Sequence, residues 1–358
     1  MSRTACRLVC AVSVSATALA AASTLAQPPA ISTPYAASGY VSSAHFTISR
    51  QGYAYGNFSG AGGFIDRLER TYAHVSALAA RLELPTTQPA DKLAVSVMND
   101  AFAFGEYARG VGLTPSDRLL GFYDPRESRV VLLDYTVVGV IPQRRSELSR
   151  SVNPLRAALA SAPADRDVLE RRLREGEQAF ALIDQFEEHL HRKVIQHEVA
   201  HSVWRAIGVL PKEGTRPAWL HEGLAAVFEV PLPAAPADWP AVNEHRLRDY
   251  RAAARGGSLL AWRELVSESS LFNPDAGSAE TAYAQAWLLA WFGVREQPER
   301  LREYIRRVRM RSDPAHAPAQ AELRDFEAVF GPIDGAFDAR LRRFEQSLPA
   351  TPLPPSGR

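Results

Sequence analysis

Two histidines four positions apart, with a glutamate directly after the first, constrain this chain more than any other feature: His197-Glu198-Val199-Ala200-His201. On an α-helix, residues at i and i+4 leave one face about one turn apart, so both imidazoles can reach a single ion. Glu198, rotated by ~100° from His197, can stand beside that ion without ligating it. Val194, Ile195, Val199, Val203, Trp204 and Ile207 are apolar, while Arg192, Lys193 and Arg205 are expected to face water, which predicts an amphipathic, largely buried helix over 192–207. A protonated imidazole would be costly on such a surface.

A third ligand is needed, and the run Trp219-Leu220-His221-Glu222-Gly223-Leu224-Ala225-Ala226-Val227-Phe228-Glu229 offers one. Between His201 and Glu222 the first helix can end near Gly208, turn through Pro211, Gly214 and Pro217, and be followed by a second helix over 218–229. Two imidazoles and one carboxylate leave the fourth position of a zinc ion open, the arrangement of a catalytic site rather than a structural one. Glu198 is then placed to take a proton from a water at that open position. His221 points ~100° away from Glu222 on the same helix and reads as a packing or supporting residue. Glu229 reads either as a carboxylate that orients a zinc-bound histidine or as a solvated helix residue.

The remainder of the chain is organised in two halves. A short strand over 45–49, a helix from Phe64 to Leu82, a strand over 92–98, a helix from Phe102 to Arg109 and strands over 119–123 and 129–134 make a mixed sheet with helices. From about Asn153 onward the pattern is helical, over 164–190, 192–207, 218–229, 241–254, 279–294, 297–310, 318–330 and 336–346. This order predicts an α+β fold, with a 44–185 N-terminal α/β subdomain and a 186–347 unit holding the zinc-helix pair and a C-terminal helical subdomain. The charged stretch 142–178 reads as a solvated helical insertion, with a lid over the cleft as the alternative.

At the ends, residues 1–26 combine Arg3 and Arg7 with an Ala-rich apolar run and small residues at Thr24-Leu25-Ala26, as in a bacterial-type secretory signal peptide; an uncleaved anchor is the other reading. The expectation is a secreted or periplasmic protein with no stable membrane span after cleavage. Residues 27–43 read as a linker and 348–358 as a disordered tail. Both cysteines, Cys6 and Cys10, lie in the signal, so a cleaved chain would have no disulfide. A formal charge of +1 excludes a general polyanion binder, so no nucleic-acid partner is expected.

The helix pair resembles the gluzincin metallopeptidases, in which HExxH supplies two histidine ligands and the general-base glutamate, and a second helix about twenty residues later supplies a glutamate ligand. The resemblance implies a zincin-like fold, one Zn²⁺ per chain held by His197, His201 and Glu222, Glu198 as catalytic base, and a peptide or protein substrate. WLHEGLAAVFE is similar to the WL-x-EG-x-A pattern of the aminopeptidase branch and of peptidase-MA-like domains of bacterial secreted proteins. GFYDPRESRVVLLD and TAYAQAWLLAWF extend that likeness over roughly 45–300. The Gly-x-Met-Glu-Asn segment that binds a free α-amine in the aminopeptidase branch is absent, which points to an endopeptidase or an unusual specificity. Gluzincins often take an oxyanion donor from a later helix, which makes Tyr283 the candidate, with His245 and Tyr250 behind it. Zincins also pair an extended substrate with an edge strand, and 129–134 reads either as that edge or as an interior strand. A zinc amidase acting on cell-wall material and a non-catalytic scaffold are the rival readings.

Overall fold

In the computed structural model, residues 39–50, 62–116, 119–161, 165–211, 216–236, 240–273, 276–311 and 318–349 are described. The expected signal peptide, most of the linker and most of the tail lie outside them. Five strands form one sheet: β1 (Gly39–Ser42), β2 (Phe46–Arg50), β3 (Leu93–Met98), β4 (Gly121–Asp124) and β5 (Arg129–Leu133), in the order β1-β2-β3-β5-β4. The three central strands run parallel, and the two edges, β1 and β4, run antiparallel to their neighbours. β1 falls inside the stretch expected as linker. Its half-exposed pattern and its Gly-Tyr-Val-Ser sequence hide it among Pro, Ser and Ala.

The parallel strands are linked by helices. α1 (Phe64–Arg81) joins β2 to β3, and α2 (Ala101–Gly110) follows β3, its first turn capped by Asp100, which accepts from the amides of Phe102 and Ala103. Leu68, Val75 and Leu78 recur at helical spacing and are buried, each contributing about 1.5–3 kcal/mol against exposure. β5 is interior, between β3 and β4, which settles the open reading of 129–134 against an edge. The reason is in its sequence: Val130, Val131, Leu132 and Leu133 are all buried, as in a strand covered on both faces.

The chain then leaves the sheet in a helical hairpin, α3 (Val140–Ala160) and α4 (Arg166–Leu190). The two helices pack chiefly on each other, with Arg145 donating to Asp184 and Glu187 at 2.6 and 2.8 Å. The hairpin covers the charged stretch 142–178 expected as a helical insertion, and α3 carries Pro154 inside it. α4 does not stop at residue 190: a π-helical turn, His191–Gln196, runs into α5 (His197–Ala206). Such a widened turn re-aims the face that follows it. Lys193, expected at the surface, is thereby buried. A Cβ on Gly121 of β4 would lie 2.9 Å from Val194 in this turn, so the edge strand and the π turn approach as closely as only glycine allows.

α5 packs on α1, on β3, β4 and β5, and on α6 (Ala218–Ala226). Next come α7 (Glu244–Arg255), α8 (Trp262–Ser267), a 3₁₀ turn over Ser269–Phe272, and α9 (Ala279–Glu296), which is buried over most of its length and carries α6 and α7 on its sides. α10 (Pro298–Arg309), α11 (Ala319–Phe330) and α12 (Gly335–Ser347) complete the helical half. The architecture is thus α+β, a five-stranded sheet followed by a mostly helical remainder, with α5 and α6 at the junction. Among the described residues no helix is long and apolar enough to cross a membrane.

Candidate metal centre

α5 presents His197 and His201, and α6 presents Glu222, all buried at 1% exposure. The two imidazole Nε2 atoms are 3.1 Å apart, and the Glu222 Oε2 atom lies 3.1 Å from that of His197 and 3.4 Å from that of His201. Ligands held tetrahedrally at ~2.0–2.1 Å from an ion are ~3.3 Å from one another, so this triangle has the size that a small divalent ion requires. Among the described residues it is the one group of three or more His, Cys, Asp or Glu side chains that could hold a metal ion.

The donor chemistry fits as well. The Nδ1 atom of His197 lies 2.8 Å from the Glu229 carboxylate, to which it can donate, leaving Nε2 as the ligand atom. Burial opposes a charge on His197, but hydrogen bonds to Glu222 and Glu229 outweigh it and push the group up to about 10, so a cation at Nε2 would take the place of a proton that the two carboxylates already favour there. Burial likewise opposes the Glu222 carboxylate, and His201 foremost, then His197, holds it well below the usual carboxylate range. A carboxylate stabilised in its charged form between two imidazoles is a donor set for a cation.

Glu198 occupies the same field in a different way. It is 1% exposed, and no side chain among the described residues hydrogen-bonds to it; its polar neighbour is the backbone amide of Tyr123 in β4. Burial pushes its carboxyl up to about 8; the nearby positive charge of His197 opposes this, and the negative charge of Glu222 adds to it. A buried carboxyl whose ionisation is shifted this far, beside a cluster of metal-ligand type, is a candidate for proton transfer.

Glu229 is buried and bonded to His197, not solvated. It lies just beyond α6, and Arg246 of α7 grips it with Nε to Oε2 at 2.8 Å and Nη2 to Oε1 at 2.7 Å. Asn243 adds a bond to Oε2 at 3.2 Å and ties the same loop through the Ala226 carbonyl at 2.9 Å. Gln196, the last residue of the π turn, donates to the carbonyls of Phe228 and Val230 at 2.7 and 3.0 Å, which fixes the start of α5 to the exit of α6.

The other sequence candidates separate. His221 is outside the cluster: its Nδ1 meets Arg205 at 3.2 Å, and burial, with that guanidinium next, keeps it neutral. Arg205, expected at the surface, is buried with its guanidinium 5.0 Å from the centre of the Tyr123 ring. Tyr283 of α9 is brought to the site, its ring centre 6.0 Å from that of His197. His245 instead stacks edge-on with His189 at 4.5 Å and faces Asp249 at 3.5 Å, and Tyr250 lies in the field of Glu345 and Asp338 of α12. Sequence reading missed Arg246, Asn243 and Gln196, whose partners are on other elements; an arginine on an otherwise amphipathic helix carries no sign of them.

One glycine sets the position of Glu222. A Cβ on Gly223 would lie 2.4 Å from the Ala286 carbonyl oxygen, so α6 and α9 touch backbone to backbone there. Gly223→Ala gains about 1 kcal/mol of helix propensity but forces the helices apart at a site with no flexible side chain to yield. The expected net is a loss of about 2 kcal/mol in a denaturant titration, together with weaker metal retention because Glu222 moves with α6.

Residues 192–315, about a third of the chain, match a family described as a protein of unknown function, DUF1570. The matched region includes the metal triangle together with Glu198, Glu229, Arg246 and Tyr283. No curated protein matches this chain.

Proposed function

We propose that this chain is a zinc-dependent metallopeptidase of gluzincin type, with a zincin-like fold, in which His197, His201 and Glu222 hold the ion and Glu198 moves the proton. The observation that carries this reading is the ligand triangle with a buried carboxyl beside it that no side chain hydrogen-bonds. When bound, zinc supplies the Lewis acidity that polarises a carbonyl oxygen and makes water more acidic. His197 is kept in the ligating tautomer by Glu229. Burial pushes the Glu198 carboxyl up to about 8, and a cation held by the triangle would bring it back to its charged form, in which it would accept a proton from the attacking water and pass it to the leaving nitrogen. Tyr283 donates its hydroxyl to the developing oxyanion.

The substrate strand would pair with β4, the antiparallel edge that packs against α5 and whose residue Tyr123 lies beside Glu198; Gly121–Asp124 are all buried, so this pairing requires the edge to be uncovered first. This replaces β5 in the role that the sequence left open. The test is turnover of a quenched-fluorescent peptide library by the zinc-loaded protein, abolished by a chelator and restored by zinc. One observation favours the scaffold reading: His197, Glu198, His201 and Glu222 are each only 1% exposed, as in a site that stays closed. Cleavage of any library member that depends on Glu198 decides against it.

A further inference from the structure

The buried polar network around His197 does not end at Glu229. Arg246, 1% exposed, grips both oxygens of Glu229, ion-pairs with Glu280 at 3.4 Å, and places its guanidinium 5.0 Å from the centre of the Tyr283 ring. Glu280 in turn faces Lys193 of the π turn at 3.4 Å. One guanidinium therefore touches the carboxylate that supports a ligand and the ring of the residue on the far wall of the site. The backbone at Arg246 is fixed by the Asn243 side chain, which accepts from its amide at 3.1 Å.

We infer that Arg246 is a positioning residue of the metal centre: its planar fork fixes Glu229 on His197, and its face carries the Tyr283 ring, so that the ligand and the ring are set from one point. The inference rests on the proposed metal reading. Its physical basis is the geometry of guanidinium, which offers two parallel N–H groups to a carboxylate and a flat face to an aromatic ring at the same time. Lysine supplies the charge without the fork or the face.

The test uses zinc affinity, by competition with a chromogenic chelator, and the visible spectrum of cobalt(II), both on the full chain. Wild type, Arg246→Met, Arg246→Lys, Glu229→Gln and the Glu229→Gln/Arg246→Met double variant are compared, with thermal melts alongside. Arg246→Met is expected to weaken zinc by about 10–100-fold and to shift the cobalt bands. The double variant is expected to bind no more weakly than Glu229→Gln alone, because Arg246 acts through Glu229. Arg246→Lys is expected to melt near wild type yet keep the weakened affinity. Should Arg246→Met not fold, Arg246→Lys carries the test, and wild-type affinity in it overturns the inference. Additive losses in the double variant, or unchanged cobalt bands in a folded Arg246→Met, overturn it too. A wild type that binds neither metal is a distinguishable result, which removes the metal reading and this inference with it.

Discussion

Glu198→Gln is expected to retain zinc at the wild-type stoichiometry while losing peptide turnover by about 10²–10⁴-fold. The amide keeps the shape of the side chain but cannot accept a proton, and the residue lies outside the ligand triangle, so affinity and chemistry part company at this position. The measurement is kcat/KM on whichever library peptide the wild type cleaves, with metal content determined on the same preparations. Equal turnover in the variant would remove Glu198 from the chemistry; loss of zinc along with turnover would make it a ligand.

The second large effect is on metal retention. His197→Ala is expected to lower zinc affinity by at least ~10²-fold, more than the loss from removing a supporting residue, whereas His221→Ala keeps wild-type affinity. The two histidines are both buried, and only one is in the triangle. Linkage gives the same contrast in stability: zinc at ~10³ times its Kd adds ~4 kcal/mol to a protein that binds it only when folded. Thermal melts with and without zinc at that concentration should therefore separate widely for wild type and His221→Ala, and by no more than ~1.4 kcal/mol of stability for His197→Ala.

How much of this was legible in the sequence depended on the range of the interaction. The spacing of His197 and His201 is a local property of one helix, and it placed both imidazoles correctly. Glu222 could be found because Gly and Pro punctuate the path to a second helix of recognisable pattern. Glu229 was half legible: its distance from Glu222 suggested a role, but its burial comes from α7 and the loop that leads into it. Arg246 and Lys193 were illegible, because a charged residue on a helix reads as solvated until its partner is known, and theirs are Glu229 and Glu280, 17 and 87 residues away in the chain.

The fold divides similarly. Helix and strand positions followed from periodicity, so the α+β order was readable, and the element boundaries were met closely in α1, α9, α10 and α12. The order of strands in the sheet was not, since an apolar run such as 129–133 fits more than one place until its neighbours are seen. The π turn was also hidden. Nothing in His191–Gln196 departs from an ordinary helical sequence, and Val194 and Ile195 of the widened turn are buried. Gly223 was read only as part of a motif, while its physical role is the close approach of α6 to α9.

The central claim is that this chain holds one catalytic-type ion through three side chains from two helices, and metal content tests it most directly. Plasma mass spectrometry of the purified protein, wild type beside Glu222→Ala, is expected to show about one zinc per chain in the first and a strong reduction in the second. No stoichiometric zinc in the wild type after zinc is supplied, or full zinc in the variant, would contradict the account.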